Sequence, residues 1–185
     1  MIASIQTYTG KEFFLLEPRA EDVDVQDIAY SLSGMGRFTC HCRPRYSVAE
    51  HAVRVCDVLA ALGYCAKTQF RGLHHDSPEA YTGDLSSPLK HIPQMLAVIK
   101  PIEKRIMCVI ADAFGMPRPE PKIVKRCDDT LFATEWRDLM LQGRIKHTGR
   151  PKVVPLSEKI RPWGERRARR EFLARHEMLM RALVR

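Results

Sequence analysis

The sequence predicts an all-α fold with a small N-terminal β-hairpin, arranged as one domain over residues 1–185. Three observations carry that expectation. Apolar residues recur at helical spacing in several long segments, and glycine- and proline-rich breaks separate them. The segment "YSVAEHAVRVCDVLAAL" opens with Ser47 and Glu50 in the S-x-x-E spacing of a capping box, a helix start. Only the N-terminal stretch reads as strand, with apolar residues on either side of Gly10.

Taken in order, the hairpin is "SIQTYTG" followed by "KEFFLLEP". Asp24 can cap a short helix through Leu32, which "SGMG" at 33–36 breaks. The helix that starts at Ser47 has Val48, Val55, Leu59 and Leu62 on its apolar face. His51 lies three to four residues from Val48 and Val55, so it points toward the core side. "TQFRGLHHDSPEAYTGDL" reads as a second helix ending near Gly83, kinked or restarted at Pro78, whose ring cannot donate a backbone hydrogen bond. "SSPLKHIP" reads as loop. A longer helix runs from Gln94 to Phe114 and is broken by the three prolines of "GMPRPEP". "KIVKRCDDTLFATEWRDLML" is another helix. A loop through "TGRPKVVPLSEKIRPWG" leads to the last one, where Phe172, Leu173, His176, Leu179, Met180 and Leu183 sit at helical spacing beside an arginine-rich face.

Composition narrows the function classes. Hydrophobic residues at 45% and charged residues at 28% are the profile of a chain that folds around a core rather than a disordered one. No apolar run approaches the roughly 20 residues that span a bilayer, and the start shows no basic segment followed by an apolar one. The expected home is the cytoplasm, with no membrane partner. The six cysteines follow no disulfide framework and read as free thiols. Cys40-His41-Cys42 is the only tight cluster of thiols, and adjacent ligands that close cannot easily wrap one ion. A formal charge of +8 favours polyanionic partners such as nucleotides. Much of the excess lies on the last helix, where a solvated arginine face is expected ahead of nucleic-acid or subunit contacts.

The stretch "GLHHDSPEAYTGDLSSPLK" concentrates the chemistry. On a helix His75 and Asp76 diverge by about 100°, yet they can share an ion placed near the helix end. His51 on the preceding helix can supply a third ligand and Asp128, in "VKRCDDT", a fourth. Two imidazoles and two carboxylates suit manganese, iron, cobalt, nickel or zinc better than calcium or magnesium. Glu79 follows His75 by four residues and Asp76 by three, so its carboxylate can reach a water at such an ion and take its proton. Asp84, past Gly83, can hold the attacking water or protonate a leaving oxygen. Arg37, Lys90 and Lys125 are placed to neutralise phosphates.

These residues carry a resemblance. "YSVAEHAVRV", "LHHDSPEAYTGDLSSPLK" and "VKRCDD" together resemble the HD-domain metal phosphohydrolases over nearly the whole chain, with their helical-bundle fold. The nearest branches are the 5′-deoxynucleotidases and the related phage deoxyadenosine-triphosphate triphosphohydrolases. The resemblance implies His51, His75, Asp76 and Asp128 as ligands of one divalent transition metal (zinc, cobalt or manganese). An additional magnesium or manganese can accompany a triphosphate. It implies Glu79 acting on the nucleophilic water, Asp84 assisting, and Arg37 at a phosphate-binding position. Phe38 stands where the nucleotidase branch commonly has tryptophan, which leaves base and sugar selectivity open. Lys90 and Lys125 match contacts to outer phosphates, and a homo-oligomer is the family's habit.

Plainer roles compete with each of these. His51 could be a packed core histidine, Glu79 and Asp84 caps or surface carboxylates, and Lys90 and Lys125 solvated lysines. His74 rivals His75 and Asp129 rivals Asp128; adjacency to Asp76 and the K-x-x-D spacing from Lys125 favour the second of the first pair and the first of the second. Trp136 and Trp163 read as packing residues. The functional expectation is a triphosphohydrolase that releases a deoxynucleoside and triphosphate. A 5′-deoxynucleotidase is the enzymatic alternative, and a nucleotide or nucleic-acid binding module with a structural metal is the non-enzymatic one.

Overall fold

A hairpin opens the chain because Gly10, at φ +87°, takes the left-handed turn that side chains disfavour. Strands β1 (Ser4–Gln6) and β2 (Glu12–Phe14) pair antiparallel, with Ile5 opposite Phe13. The structure, a computed structural model, describes residues 3–141 and 153–184. Phe13 is fully buried and stacks on Tyr81 with ring centroids 3.7 Å apart. At the turn, Thr9 donates from its backbone N and its hydroxyl to the two oxygens of Asp27, at 2.6 and 2.9 Å. The hairpin is thereby fastened to the first helix.

That helix, α1 (Val25–Gly34), is capped by Asp24, whose side chain accepts from Gln26 N at 2.9 Å. It outruns the expected end at Leu32 by two residues, because Ser33 and Gly34 still fit the last turn and only Met35 turns extended. Helix α2 (Val48–Ala61) begins where expected: Ser47 Oγ accepts from Glu50 N at 3.1 Å. The capping box is only half made. Glu50 is fully buried and turns instead to Arg54 (2.7 and 2.9 Å) and to the backbone N of Trp163 (2.7 Å), tying α2 to the segment before the last helix.

The expected helix through "LHHDSPEAYTGDL" is corrected. Helix α3 (Ala66–Leu73) stops at the histidine pair, residues 74–78 form a succession of tight turns, and a single helical turn, α4 (Glu79–Thr82), follows. Backbone bonds three residues apart, Ser77 N to His74 O and Glu79 N to Asp76 O, replace the helical ladder at the point where Pro78 has no N–H to give. Gly83, at φ +82°, ends the turn. The expected loop 86–93 contains another single turn, α5 (Ser87–Lys90). Helices α6 (Pro93–Ala113) and α7 (Lys122–Leu139) match expectation to within a residue or two, as does the break between them. Residues 148–152 of the expected loop lie outside the described residues. Helix α8 (Glu165–Val184) closes the chain.

Helix α2 is the hub: it packs against α3, α7 and α8, while α1 packs against α2, α4 and α8. The apolar face of α8 expected from its spacing is turned into this core, with Ala168, Phe172, His176 and Leu179 buried. Each large side chain so buried contributes about 1.5–3 kcal/mol. A second cluster, Val55, Leu59, Val124, Cys127 and Leu131, joins α2 to α7. Packing on both sides fixes where α2 presents His51. The six cysteines are free thiols. No helix among the described residues is long and apolar enough to cross a membrane.

Candidate metal centre

Three pieces of chain converge at one point. Helix α2 carries His51, fully buried one turn past its cap. The turn after α3 carries His75 and Asp76, and α7 brings Asp128. Nε2 of His51 lies 3.2 Å from Nε2 of His75, 3.1 Å from Oδ1 of Asp128 and 3.7 Å from Oδ2 of Asp76. Nε2 of His75 is 3.2 Å from Asp76 Oδ2 and 4.0 Å from Asp128 Oδ1. One donor atom each from His51, His75 and Asp76 falls within 4.8 Å of the others, so this group can hold a metal ion. Ligand distances of about 2.0–2.2 Å place adjacent donors about 3 Å apart, close to the separations observed.

The chemistry of the donor set fits a cation. His75 Nδ1 lies 2.7 Å from the carbonyl oxygen of Gly72, which can only accept, so Nδ1 carries the proton. His51 Nδ1 sits 2.6 Å from Glu135 Oε1 and donates to that carboxylate. In the neutral rings both Nε2 lone pairs then face each other across 3.2 Å. Two lone pairs so placed repel unless a metal ion or a proton lies between them, and in the absence of an ion the raised His75 ring keeps a proton there. Fixing one ring nitrogen to an acceptor so that the other faces a metal is the usual outer support of a histidine ligand.

Glu135 was not expected from the sequence. It is fully buried, and its second oxygen receives Nε and Nη2 of Arg37 at 3.1 and 3.0 Å. Arg37 also stands 3.7 Å from Asp76 Oδ2. A spacing signal existed: Asp128, Phe132 and Glu135 fall at i, i+4 and i+7, on one face of α7. Trp136, expected as packing, helps wall the cleft outside the centre. That cleft, of about 860 Å³, has Phe38, Phe132, Trp136 and Met140 on one side. The Phe38 ring lies 5.6 Å from Phe132 and 6.0 Å from Trp136, edge-on to the latter. Arg37, Asp76, Glu79, Asp84 and Asp128 form the polar side.

The rivals separate cleanly. His74 is buried beneath the centre, bonded to Ser77 Oγ (2.8 Å) and His176 Nδ1 (2.9 Å), so it supports the turn and is not a surface residue. Asp129 bonds Lys125 at 2.7 Å, and Asp128 is the one that reaches His51. The two lysines expected to await phosphates are already engaged. Lys90 Nζ lies 2.7 Å from Glu79 Oε1 and 3.1 Å from Glu103 Oε1, and Lys125 Nζ is 2.8 Å from Asp128 Oδ2. Lys90 is held in a partly buried site by buried Glu79, whereas Lys125 is exposed and its pairs with Asp128 and Asp129 are surface pairs of small energy.

The chain is 39% identical over 162 residues to the uncharacterized protein YfdR of Escherichia coli (strain K12), a match spanning 83% of this chain and 86% of that one. It belongs to the YfdR family. The uncharacterized protein RCAP_rcc00048 of Rhodobacter capsulatus is 30% identical over 192 residues, spanning 95% of this chain and 94% of its own. No family model matches the chain.

In this YfdR-family chain the protonation of the centre follows from its charges. Burial works against a charged His75, but Asp76 and Asp128 outweigh it and raise the ring to about 9. Burial and Arg37 likewise oppose a charged His51, yet Glu135 and Asp128 leave it raised. Asp76 and Asp128 are held low despite burial, because both rings lie beside them. Glu79 goes the other way: burial, then Asp76 and Asp84, push it up to about 8 against the pull of Lys90. Its Oε2 is buried without a hydrogen-bond partner among the described residues. Asp84 is raised by burial and by Asp76, against Arg37.

Proposed function

We propose that this protein is a metal-dependent phosphohydrolase of deoxynucleotides, built on the HD-domain plan that its sequence resembles. The observation that carries the reading is the pair of imidazoles whose Nε2 atoms face each other beside Asp76 and Asp128 with both Nδ1 atoms committed to acceptors. These four residues would hold a single divalent ion, with zinc, cobalt and manganese all suited to nitrogen and carboxylate donors. Such an ion supplies Lewis acidity at phosphorus and a water acidified toward neutral pH.

The protein's own groups would do the rest. Arg37, pinned by Glu135 at the cleft edge, would orient a phosphoryl oxygen. Glu79, buried beside Asp76 and Asp84, would take a proton from the attacking water in its ionised form, which a bound cation beside it favours. Asp84, also raised, can deliver one to the departing 5′ oxygen. Phe38, Phe132 and Trp136 offer faces for a base. Attack at the α-phosphorus of a deoxynucleoside triphosphate would release a deoxynucleoside and triphosphate, and the resemblance makes deoxyadenosine triphosphate the first substrate to try.

One observation favours a second reading, a 5′-deoxynucleotidase. Lys90 and Lys125 are tied to carboxylates and so offer less to outer phosphates than their positions implied. The test is a panel of deoxynucleoside mono- and triphosphates with manganese, cobalt, zinc and magnesium, with phosphate and triphosphate identified among the products. Triphosphate release supports the first reading. Turnover of monophosphates alone replaces it with the second, and no turnover of any member with any ion removes both.

A further inference from the structure

Beyond the turn of His75 and Asp76 lies a second cleft, of about 990 Å³, which the aromatic wall of the first does not line. It meets the first along a ridge made by Asp76, Glu79, Lys90 and Lys125, and His75 faces it. Arg71, one turn before the histidines on α3, forms part of its wall. This arginine is only 4% exposed, and its Nε and Nη1, closed off from solvent, have no hydrogen-bond partner among the described residues. The one carboxylate within 4 Å among the described residues, Glu120, stops 3.7 Å from Nη2, beyond hydrogen-bond distance. A guanidinium taken from water without full pairing is costly, and native chains keep few such groups. Lys100 and Lys104 stand one turn apart on α6 along the same cleft, exposed, with no carboxylate within 4 Å among the described residues. The remaining cations of the cleft are spoken for: Arg118 by Asp112, Lys90 by Glu79 and Glu103, Lys125 by Asp128 and Asp129.

We propose that the second cleft is a phosphate-binding site, anchored by Arg71 and completed by Lys100 and Lys104, that receives the outer phosphates of a nucleoside triphosphate lying across the ridge. The site itself stands on the unpaired arginine and the two lysines. That its phosphates arrive on a nucleotide rests on the phosphohydrolase reading. A nucleotide is aromatic at one end and polyanionic at the other, and the two clefts divide along the same line. Aromatic faces lie on the Phe38 side and uncompensated positive charge on the Arg71 side, with the candidate ligands between. Arg71 contributes unpaired positive charge from within the cleft wall, and the exposed lysines supply the direct ammonium contacts. This gives outer phosphates a place that Lys90 and Lys125, held by carboxylates, do not provide.

Two measurements test it. The first is calorimetric titration with inorganic tripolyphosphate in the presence of EDTA, so that no ion carries the anion. Binding should weaken at least about tenfold in Arg71→Met and in the double variant Lys100→Ala/Lys104→Ala, as expected for losing charge-assisted contacts. Arg71 is buried, so its variant is checked by circular dichroism; should it fail to fold, the exposed double variant decides alone. The second is the ratio of kcat/KM for deoxyadenosine triphosphate over the monophosphate, which should fall by a similar factor in the double variant. Unchanged tripolyphosphate binding in the double variant overturns the site. Weakened binding with an unchanged ratio overturns the placement of the substrate's phosphates there. Weakened binding in a protein that hydrolyses no nucleotide keeps the anion site and refutes the phosphohydrolase reading instead.

Discussion

The rings of His51 and His75 are fixed in orientation because their far nitrogens are bonded to Glu135 and to the Gly72 carbonyl. Glu135 serves two neighbours at once, holding the His51 ring and the Arg37 guanidinium. Replacing it with glutamine keeps the shape but removes the charge that balances both. Outer supports of this kind are worth about 10- to 100-fold in metal affinity, so Glu135→Gln should lose roughly that factor in a zinc or manganese titration while the fold persists. Equal affinity in the variant would show that the carboxylate merely fills space. That His51, His75, Asp76 and Asp128 come together was expected from the sequence through the resemblance its motifs carry, and the distances between them agree with that expectation. Glu135 was not, since a glutamate in the middle of an amphipathic helix reads as solvent-facing until its partners on α2 and in the 36–38 segment are known.

The element that sets the site is the turn between α3 and α4. Gly72 lies on the face of α3 that packs on α2, and a Cβ there would collide with Leu59 Cδ1 and come within 3.4 Å of Val55 Cγ1. Both belong to the α2–α7 packing. Gly72→Ala should therefore destabilise the protein by about 1–3 kcal/mol, the usual penalty of overpacking. Because the Gly72 carbonyl also aims His75, metal affinity should fall as well. Chemical denaturation with and without zinc checks both, and a variant as stable as the parent would mean that α2 and α3 are less closely opposed. The sequence placed a break at Pro78 but left His75 and Asp76 on a helix. Nothing local marks Leu73 as the last helical residue. The helix ends there because His74 turns down to Ser77 and His176, and that partner is a hundred residues away on α8.

At the scale of the whole molecule, α8 is the strap across α1, α2 and α3, and its buried histidine makes the packing sensitive to acid. Burial lowers His176 to about 4, and burial together with His176 lowers His74 as well. Between pH 6.5 and 4 the unfolded chain then binds protons that the folded chain does not. The share of stability carried by these two histidines is full above about pH 6.5 and is lost as pH falls toward 4, about 3 kcal/mol of it from His176. Glu79, raised to about 8, works in the opposite sense over much of this range. Thermal melts across this range should show the parent losing more stability toward acid than His176→Gln; parallel curves would assign the acid sensitivity elsewhere. The all-helical architecture with its hairpin was readable throughout, because turn glycines, prolines and apolar spacing are local signals. Which helix meets which was not, since that is decided by contacts such as Glu50 with Trp163 that link distant segments.

The facing imidazoles of His51 and His75 are tested most directly by anomalous diffraction from crystals soaked in manganese or zinc, recorded at the absorption edge of the ion. One peak is expected per chain, about 2.0–2.3 Å from Nε2 of both histidines and from a carboxylate oxygen of Asp76, and it should vanish in His75→Ala. A soaked crystal with no peak between the two rings, or with the ion seated elsewhere, would contradict the metal centre.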